Sequence, residues 1–101
     1  MNFGEAIEHV KNGGLVARQG WNGKGMFIFM RPADALTVDF IVNKVKSLPE
    51  SLKKWVAKHH GENDEIKFNA YLCMKAADGT IVNGWLASQT DILAEDWEVV
   101  E

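Results

Sequence analysis

Four consecutive polar side chains near the C-terminus have the residue types of a binding surface for a small molecule. They are Ser88, Gln89, Thr90 and Asp91, in a stretch that begins at Trp85 and ends at Trp97. These side chains supply hydrogen-bond donors and acceptors at every position. Aromatic surface beside them suits a planar, polar molecule such as a nucleotide base or ribose. The alternative is structural, because serine here is also typical of a helix N-cap or turn, and the tryptophans could be core residues.

The segment from Arg18 to Met26 is a second candidate for ligand binding. Three glycines fall within six residues of it: Gly20, Gly23 and Gly25. Glycine lets backbone amides approach a ligand closely, while Arg18 and Lys24 would bring charge and Trp21 a stacking face. The spacing is not that of a P-loop, because a glycine and not Ser or Thr follows Lys24, and it also lacks the dinucleotide fingerprint. A plain hairpin loop with one exposed tryptophan is the alternative.

Two other groups of reactive side chains give weaker signals. His59, His60 and Glu62 could suggest a metal site, but adjacent histidines on a helix point about 100° apart. The predicted helix also ends before Glu62. No base is marked beside Cys73, so we interpret it as a buried, inert thiol. We therefore predict no metal site, no cofactor and no catalytic residue.

The composition is that of a small soluble protein with a single domain, residues 1–101. The chain is 47% hydrophobic and 25% charged with a net charge of −3, so no broad basic field would attract a nucleic acid polymer or a membrane. Its one cysteine fits a reducing cytoplasm. We expect a cytoplasmic protein, because neither a signal peptide pattern nor a membrane-spanning apolar run is present. Four tryptophans are more than such a core needs, which indicates an interface or a pocket.

One helix and two strands are predicted in the first third of the chain. Asn2 can cap a helix over residues 2–11, Glu5 completes a capping box, and two glycines end it. Leu15 to Arg18 is predicted to be a strand. Met26 to Met30 is continuously apolar, which predicts a strand buried on both faces and favours another subunit against the second face.

Residues 33–65 are predicted to be helical. Thr37 is placed to cap one helix. Ser47 to Glu50, with Pro49 inside it, has the pattern of a capping box for a second helix, which Gly61 ends.

The remaining residues are predicted to form strands. Ile66 to Met74 alternates apolar and polar residues, Asp78-Gly79 is typical of a hairpin turn, and Ile81 to Ala87 pairs back. A last strand covers Trp97 to Val100. The predicted fold class is α+β: an N-terminal helix packed on a small antiparallel β-sheet, with a helical insertion in the middle.

Three segments of this chain together resemble a family of small phage and prophage proteins that includes the second Thoeris anti-defence proteins. They are residues 1–7, residues 16–26 and residues 85–97. The resemblance covers roughly residues 1–31 and 68–101, and the helical middle is not matched.

The resemblance implies a binding protein and not an enzyme. Better-studied relatives act as sponges: they capture the cyclic ADP-ribose isomer that a bacterial immune sensor makes after infection. Some relatives also hold cyclic dinucleotides or trinucleotides. The resemblance further implies a homotetramer with ligands bound between subunits, and the surplus tryptophans are compatible with a homo-oligomer.

On this basis we expect stoichiometric sequestration of a cyclic nucleotide signal. Trp21 or Trp85 would stack on the adenine. Arg18 or Lys24 would meet the phosphates, with Gly23 letting the loop close over them. Base edges and ribose hydroxyls would be bound by Asn22, Ser88, Gln89, Thr90 and Asp91. We expect Asp96 and Trp97 to be structural.

Two other functions stay open. A cyclic nucleotide hydrolase could use Asp91, Glu95 and Asp96 as acid and base, but neither motif holds a histidine or a nucleophile beside a base. A protein-interaction or assembly module of phage origin would use the tryptophans as a docking face.

Overall fold

The structure is a computed structural model that describes residues 1–21 and 24–101. The chain separates into two compact units. The first unit comprises residues 1–32 and 70–101, and the second comprises residues 33–69. Each unit is described by itself below, and the single domain over 1–101 stays a prediction.

The first unit begins with helix α1, Phe3–Lys11. Its capping box is formed as expected: Glu5 N donates to Asn2 Oδ1 at 2.9 Å, and Asn2 N donates to Glu5 Oε1 at 3.0 Å. Asn12 is the C-cap, and Gly13 follows with a φ of 95°, a left-handed conformation that glycine adopts at little cost. The predicted helix and its end are confirmed.

A five-stranded antiparallel sheet forms the body of this unit. In chain order its strands are β1 (Val16–Arg18), β2 (Phe27–Arg31), β5 (Tyr71–Lys75), β6 (Ile81–Asn83) and β7 (Trp97–Val99). Their spatial order is β6-β5-β2-β1-β7, so the N-terminal and C-terminal strands pair in the sheet. Strand β1 lies between β2 and β7, and the Gln19–Trp21 turn follows it directly.

The core lies between α1 and one face of this sheet. Val16 is opposite both Ile28 and Val99 in the register, and residues that face each other in antiparallel strands share a face. Val16, Ile28 and Trp97 are buried with Ala6 and Val10 of α1 in one apolar cluster. The alternate residues of the same strands, Ala17 in β1, Phe27 in β2 and Glu98 in β7, point to the second face.

The segment after β6 departs from the sequence prediction. Ile81 to Ala87 was expected to be one strand, but β6 ends at Asn83, because Gly84 has a φ of 76° and turns the chain. Trp85 N then bonds to Leu72 O at 2.8 Å. A short helix, α4 (Gln89–Leu93), follows before β7.

The second unit contains two helices between two paired strands. Its elements are β3 (Asp34–Thr37), α2 (Val38–Asn43), α3 (Glu50–His59) and β4 (Glu65–Phe68). Strands β3 and β4 form a separate two-stranded antiparallel sheet. Val38, Ile41 and Val56 are its buried apolar residues.

Three predictions for this unit are corrected. The sequence predicts a helical segment over 33–65, but Asp34–Thr37 is a strand because it pairs with Glu65–Phe68, a partner too distant in sequence for local patterns to reveal. Ile66 to Met74 is two strands, interrupted at Asn69 and Ala70, where the chain leaves one sheet and enters the other. Ser47 does not cap α3: Pro49 is the N-cap without a side-chain cap bond. The cap at Thr37 is confirmed, since Phe40 N donates to its Oγ1 at 3.2 Å.

The α+β class, the N-terminal helix on an antiparallel sheet and the helix-containing insertion are confirmed. The Asp78-Gly79 hairpin turn between β5 and β6 is also present, with Gly79 at a φ of 91°.

We expect Ile28→Ala to lower the free energy of unfolding by about 2–4 kcal/mol, because Ile28 is 0% exposed in the core of the first unit. Ile81→Ala is the matched control: Ile81 is 51% exposed on the edge strand β6, and its loss should cost less than about 1 kcal/mol. Urea unfolding followed by tryptophan fluorescence measures both. Equal costs would contradict the core described above.

Candidate functional site

A cleft of about 400 Å³ lies in the first unit, beside the turn that follows β1. Three of the predicted ligand-binding residues line it: Arg18, Trp21 and Lys24. The other described residues that line it are Ala17, Gln19, Gly25, Met26, Phe27, Glu98 and Val100. The cleft therefore combines aromatic, cationic, anionic and apolar surface over a small area.

The backbone on one side of the cleft is held by Asp96. Strand β1 ends at Arg18 and continues as a single turn of 3-10 helix, Gln19–Trp21. Gln19 N donates to Asp96 O at 3.1 Å, and Gly20 N donates to Asp96 Oδ2 at 2.8 Å. Both bonds fix the direction in which the chain leaves the sheet. They therefore fix the backbone position from which the Trp21 side chain extends.

The guanidinium group of Arg18 is engaged by two carboxylates. Its Nε donates to Asp96 Oδ1 at 2.8 Å, and its Nη1 donates to Asp91 Oδ1 at 2.9 Å. The Arg18 side chain is only 17% exposed, so these are partly buried, charge-assisted bonds. The hydrogen bonds that Arg18 donates to Asp96 and Asp91 raise the pKa of Arg18, which stays charged.

The two carboxylates are correspondingly stabilised as anions. The hydrogen bond from Arg18, followed by that from Gly20 N, lowers the pKa of Asp96. For Asp91, partial burial alone would raise the pKa, but the hydrogen bonds from Arg18 and Ser88 together outweigh burial and lower it. The positive charge of Arg18 is therefore balanced by the negative charges of Asp91 and Asp96.

Lys24 is the exposed cation of the cleft. Among the ion pairs formed within residues 1–21 and 24–101, none involves Lys24. Of the two cations that the sequence offered for phosphate contact, Lys24 is thus the one whose charge is available.

Three tryptophans form a cluster at this end of the unit. Trp21 lies edge-on to Trp97 at 5.3 Å between ring centroids and to Trp85 at 6.2 Å. Trp97 is 2% exposed, and its Nε1 donates to Asp91 O at 2.9 Å, which confirms the structural role expected for it. Trp21 and Trp85 are half-buried against the core. Trp85 is not among the residues that line the cleft.

The polar run after Trp85 forms the start of helix α4. Ser88 is its N-cap: Asp91 N donates to Ser88 Oγ at 3.1 Å, and Ser88 Oγ donates to Asp91 Oδ2 at 2.9 Å. The structural alternative raised from the sequence therefore applies to Ser88 and Asp91. Gln89 and Thr90 are exposed in the first turn of α4, and none of these four residues lines the cleft.

Two predicted ligand-binding residues, Asn22 and Gly23, lie outside the described residues. Their proposed contacts stay predictions.

The weaker candidates have structural surroundings. His59 stacks on Trp55 at 4.4 Å, and His60 Nδ1 lies 3.9 Å from Asp64. Across the two described ranges, no three histidine, cysteine or acidic side chains converge as a metal site. Cys73 is buried, with its Sγ 3.5 Å from Asn83 Oδ1. No helix in the described part of the chain is long and apolar enough to cross a membrane.

Sequence reasoning missed the side chains that strands β2 and β7 bring to the cleft. Phe27 and Glu98 alternate with the buried Ile28 and Trp97, so they lie on the face of the sheet away from α1. Gln19 Nε2 donates to Glu98 Oε2 at 3.3 Å. The alternation was visible in the sequence, but the pairing of β7 with β1 was not.

The lowered pKa values of Asp91 and Asp96 predict that acid destabilises the protein. A carboxylate with a depressed folded-state pKa contributes stability that is complete well above the ordinary value of 3.8 and is lost as pH falls through 3.8 and below. We expect Asp96→Asn to flatten the fall in unfolding free energy between about pH 5 and pH 2. Glu62→Gln, which removes one negative charge in the second unit, should leave the slope unchanged. The unfolding free energy is measured by urea titration at each pH. An equally steep dependence on pH in wild type and Asp96→Asn would refute the prediction.

Known proteins match this chain over almost its whole length. The sequence profile described as the Thoeris anti-defense 2-like domain matches residues 1–100. A protein named Thoeris anti-defense 2, from Bacillus phage SP01, is 40% identical over 100 residues, which cover 99% of this chain and 94% of that protein. The match includes the insertion, residues 33–69, which the sequence resemblance had left out. The chain therefore belongs to the Thoeris anti-defense 2-like family, and its membership supports an anti-defence role.

Proposed function

We propose that this protein acts in anti-defence by binding a cyclic nucleotide immune signal and sequestering it without cleavage. The ligand class is a cyclic ADP-ribose isomer, with cyclic oligonucleotides as further candidates. The family name is consistent with a non-catalytic protein. The observation that supports the proposal most directly is the cleft in which Trp21, Lys24 and Arg18 meet.

The dimensions of the cleft suit part of such a ligand. A volume of about 400 Å³ lies at the lower end of the range for small-molecule sites, about 300–1,000 Å³. One base and its ribose would fill it, and the remainder of a cyclic nucleotide would extend beyond it. Aromatic surface for the base comes from Trp21 and Phe27.

The arrangement of charges assigns different tasks to the two cations. Lys24 would meet a phosphate, because its ammonium group is exposed and its charge is available. Arg18 would instead hold the site together through Asp91 and Asp96. Glu98 at the rim could accept a hydrogen bond from a ribose hydroxyl, for which it would exchange its bond from Gln19. Ser88, Gln89, Thr90 and Asp91 do not line the cleft, so we do not assign them a contact with the part of the ligand that it holds.

Isothermal titration against cyclic ADP-ribose isomers, cyclic dinucleotides and cyclic trinucleotides tests the function. We expect tight binding of at least one of them, and release of the intact compound when the complex is heated. Recovery of a cleaved product would favour a hydrolase. Failure to bind every member of the panel would overturn the proposal and favour a protein partner.

Substitutions in the cleft test its location. We expect Lys24→Gln and Trp21→Ala each to weaken binding about 5- to 150-fold, since a charge-assisted contact or a stacked base contributes roughly 1–3 kcal/mol. Trp55→Ala is the matched control, because Trp55 is 52% exposed on α3 in the second unit. Lys24→Gln removes the charge of an exposed side chain and should leave the unfolding transition unchanged. If it binds ligand like wild type, phosphate is held elsewhere.

We also propose that the protein is a homo-oligomer, for which a tetramer is the expected form. Leu86, which precedes α4, is 89% exposed, and within α4 Leu93 is 77% and Ile92 45% exposed. Large apolar side chains grouped on a surface favour an interaction site. Self-association would bring the polar first turn of α4, next to these side chains, against a second copy.

The apolar surface around α4 is tested by changing its charge. We expect the double variant Leu86→Glu, Leu93→Glu to have a smaller mass than wild type in sedimentation equilibrium, because two carboxylates cannot be buried unpaired. Phe40→Glu, at a side chain 47% exposed in the second unit, is the control. An unchanged mass in the double variant would show that α4 is not at an interface.

A further inference from the structure

One residue that lines the cleft is bonded to a side chain from outside it, a contact that the sequence does not reveal. Lys75, at the end of β5, donates from Nζ to Gly25 O at 3.0 Å. Gly25 lines the cleft and follows Lys24 directly. Lys75 itself is not among the residues that line it.

The sheet register determines where Lys75 lies. It is directly opposite Phe27 in the β2–β5 pair, so the two side chains share the face away from α1. The Lys75 ammonium group lies 5.9 Å from the centroid of the Phe27 ring, a cation–π distance. This contact with the ring places the ammonium group near the backbone of Gly25, two residues before Phe27.

Gly25 is the position at which such a contact has most effect. Its φ of 70° is a left-handed conformation, and a glycine there leaves the backbone freer than any other residue would. The bond to its carbonyl restrains that freedom from outside the loop. Asp96 thus holds Gly20 at its N–H, and Lys75 holds Gly25 at its carbonyl.

We propose that Lys75 is a positioning residue for ligand binding: its ammonium group fixes the backbone at Gly25 and thereby sets where Lys24 meets the ligand. The inference rests on the proposed function of the cleft. Lys75 acts on the ligand through Gly25 and Lys24, and it makes the cleft ready before the ligand arrives.

Amide hydrogen exchange in the ligand-free protein tests the first half of the proposal. We expect Lys75→Met, which keeps the apolar stem over Phe27 but removes the donor, to speed exchange at Lys24, Gly25 and Met26 about threefold or more. Lys75→Arg, which keeps a charged donor, should exchange like wild type. Lys11→Met is the matched control, because it removes a lysine from the surface of α1. Unchanged exchange at residues 24–26 in Lys75→Met overturns the proposal.

Titration with a cyclic ADP-ribose isomer tests the second half. We expect Lys75→Met to weaken binding about three- to tenfold at an unchanged melting temperature, and Lys75→Arg to restore it. If Lys75→Met binds like wild type while Lys24→Gln does not, the positioning role is wrong and the proposed function stands. If wild type binds no member of the nucleotide panel, the proposed function fails, and with it any role of Lys75 in ligand binding. The exchange comparison then decides only whether Lys75 holds Gly25.

Discussion

The contact between Arg18 and the carboxylates of Asp91 and Asp96 joins three parts of the chain. Arg18 ends β1, Asp91 lies in α4, and Asp96 immediately precedes β7. Two partly buried charges of one sign can be kept there only because the guanidinium group lies between them and donates to both. The same carboxylates cap α4 and hold Gly20 N, so the ion cluster organises the helix and the turn together.

The tryptophan cluster depends on this arrangement. Trp97 is buried because β7 pairs with β1, and its indole N–H is satisfied by the carbonyl of Asp91. Trp21 can lie against Trp97 because the turn after Arg18 is held by Asp96. One aromatic side of the cleft is thus positioned by contacts within the protein. Lys24, which also lines the cleft, is exposed, whereas Arg18 is engaged by two carboxylates.

Family membership and site geometry support the proposed function in different ways. The match to the Thoeris anti-defense 2-like family establishes what kind of protein this is over nearly its whole length. The cleft, which Arg18, Trp21 and Lys24 line, supports the location proposed for ligand binding. The exposed leucines beside α4 add a reason for self-association that comes from this chain alone.

The sequence by itself determined the features that depend on near neighbours. The capping box at Asn2, the cap at Thr37 and the turn at Gly79 could be predicted, because each involves residues within a few positions of one another. The N-cap at Ser88 was foreseen only as the alternative to ligand binding. The family motifs around Trp21 and Trp85 could be recognised for the same reason. Local patterns failed where a distant partner decides, as at strand β3 and at the break after Phe68. The capping box predicted at Ser47 was also wrong.

Only the tertiary structure decided which predicted ligand residues act together. Arg18 bonds to carboxylates 73 and 78 positions away, and no spacing rule could have shown that it is already neutralised. Glu98 reaches the cleft through the pairing of β7 with β1, and Lys75 reaches the carbonyl of Gly25 through the pairing of β5 with β2. Strand register and the pairing of charges arise from packing of the whole unit. They therefore fixed the cleft around Trp21 and Lys24 and left the polar turn of α4 outside it.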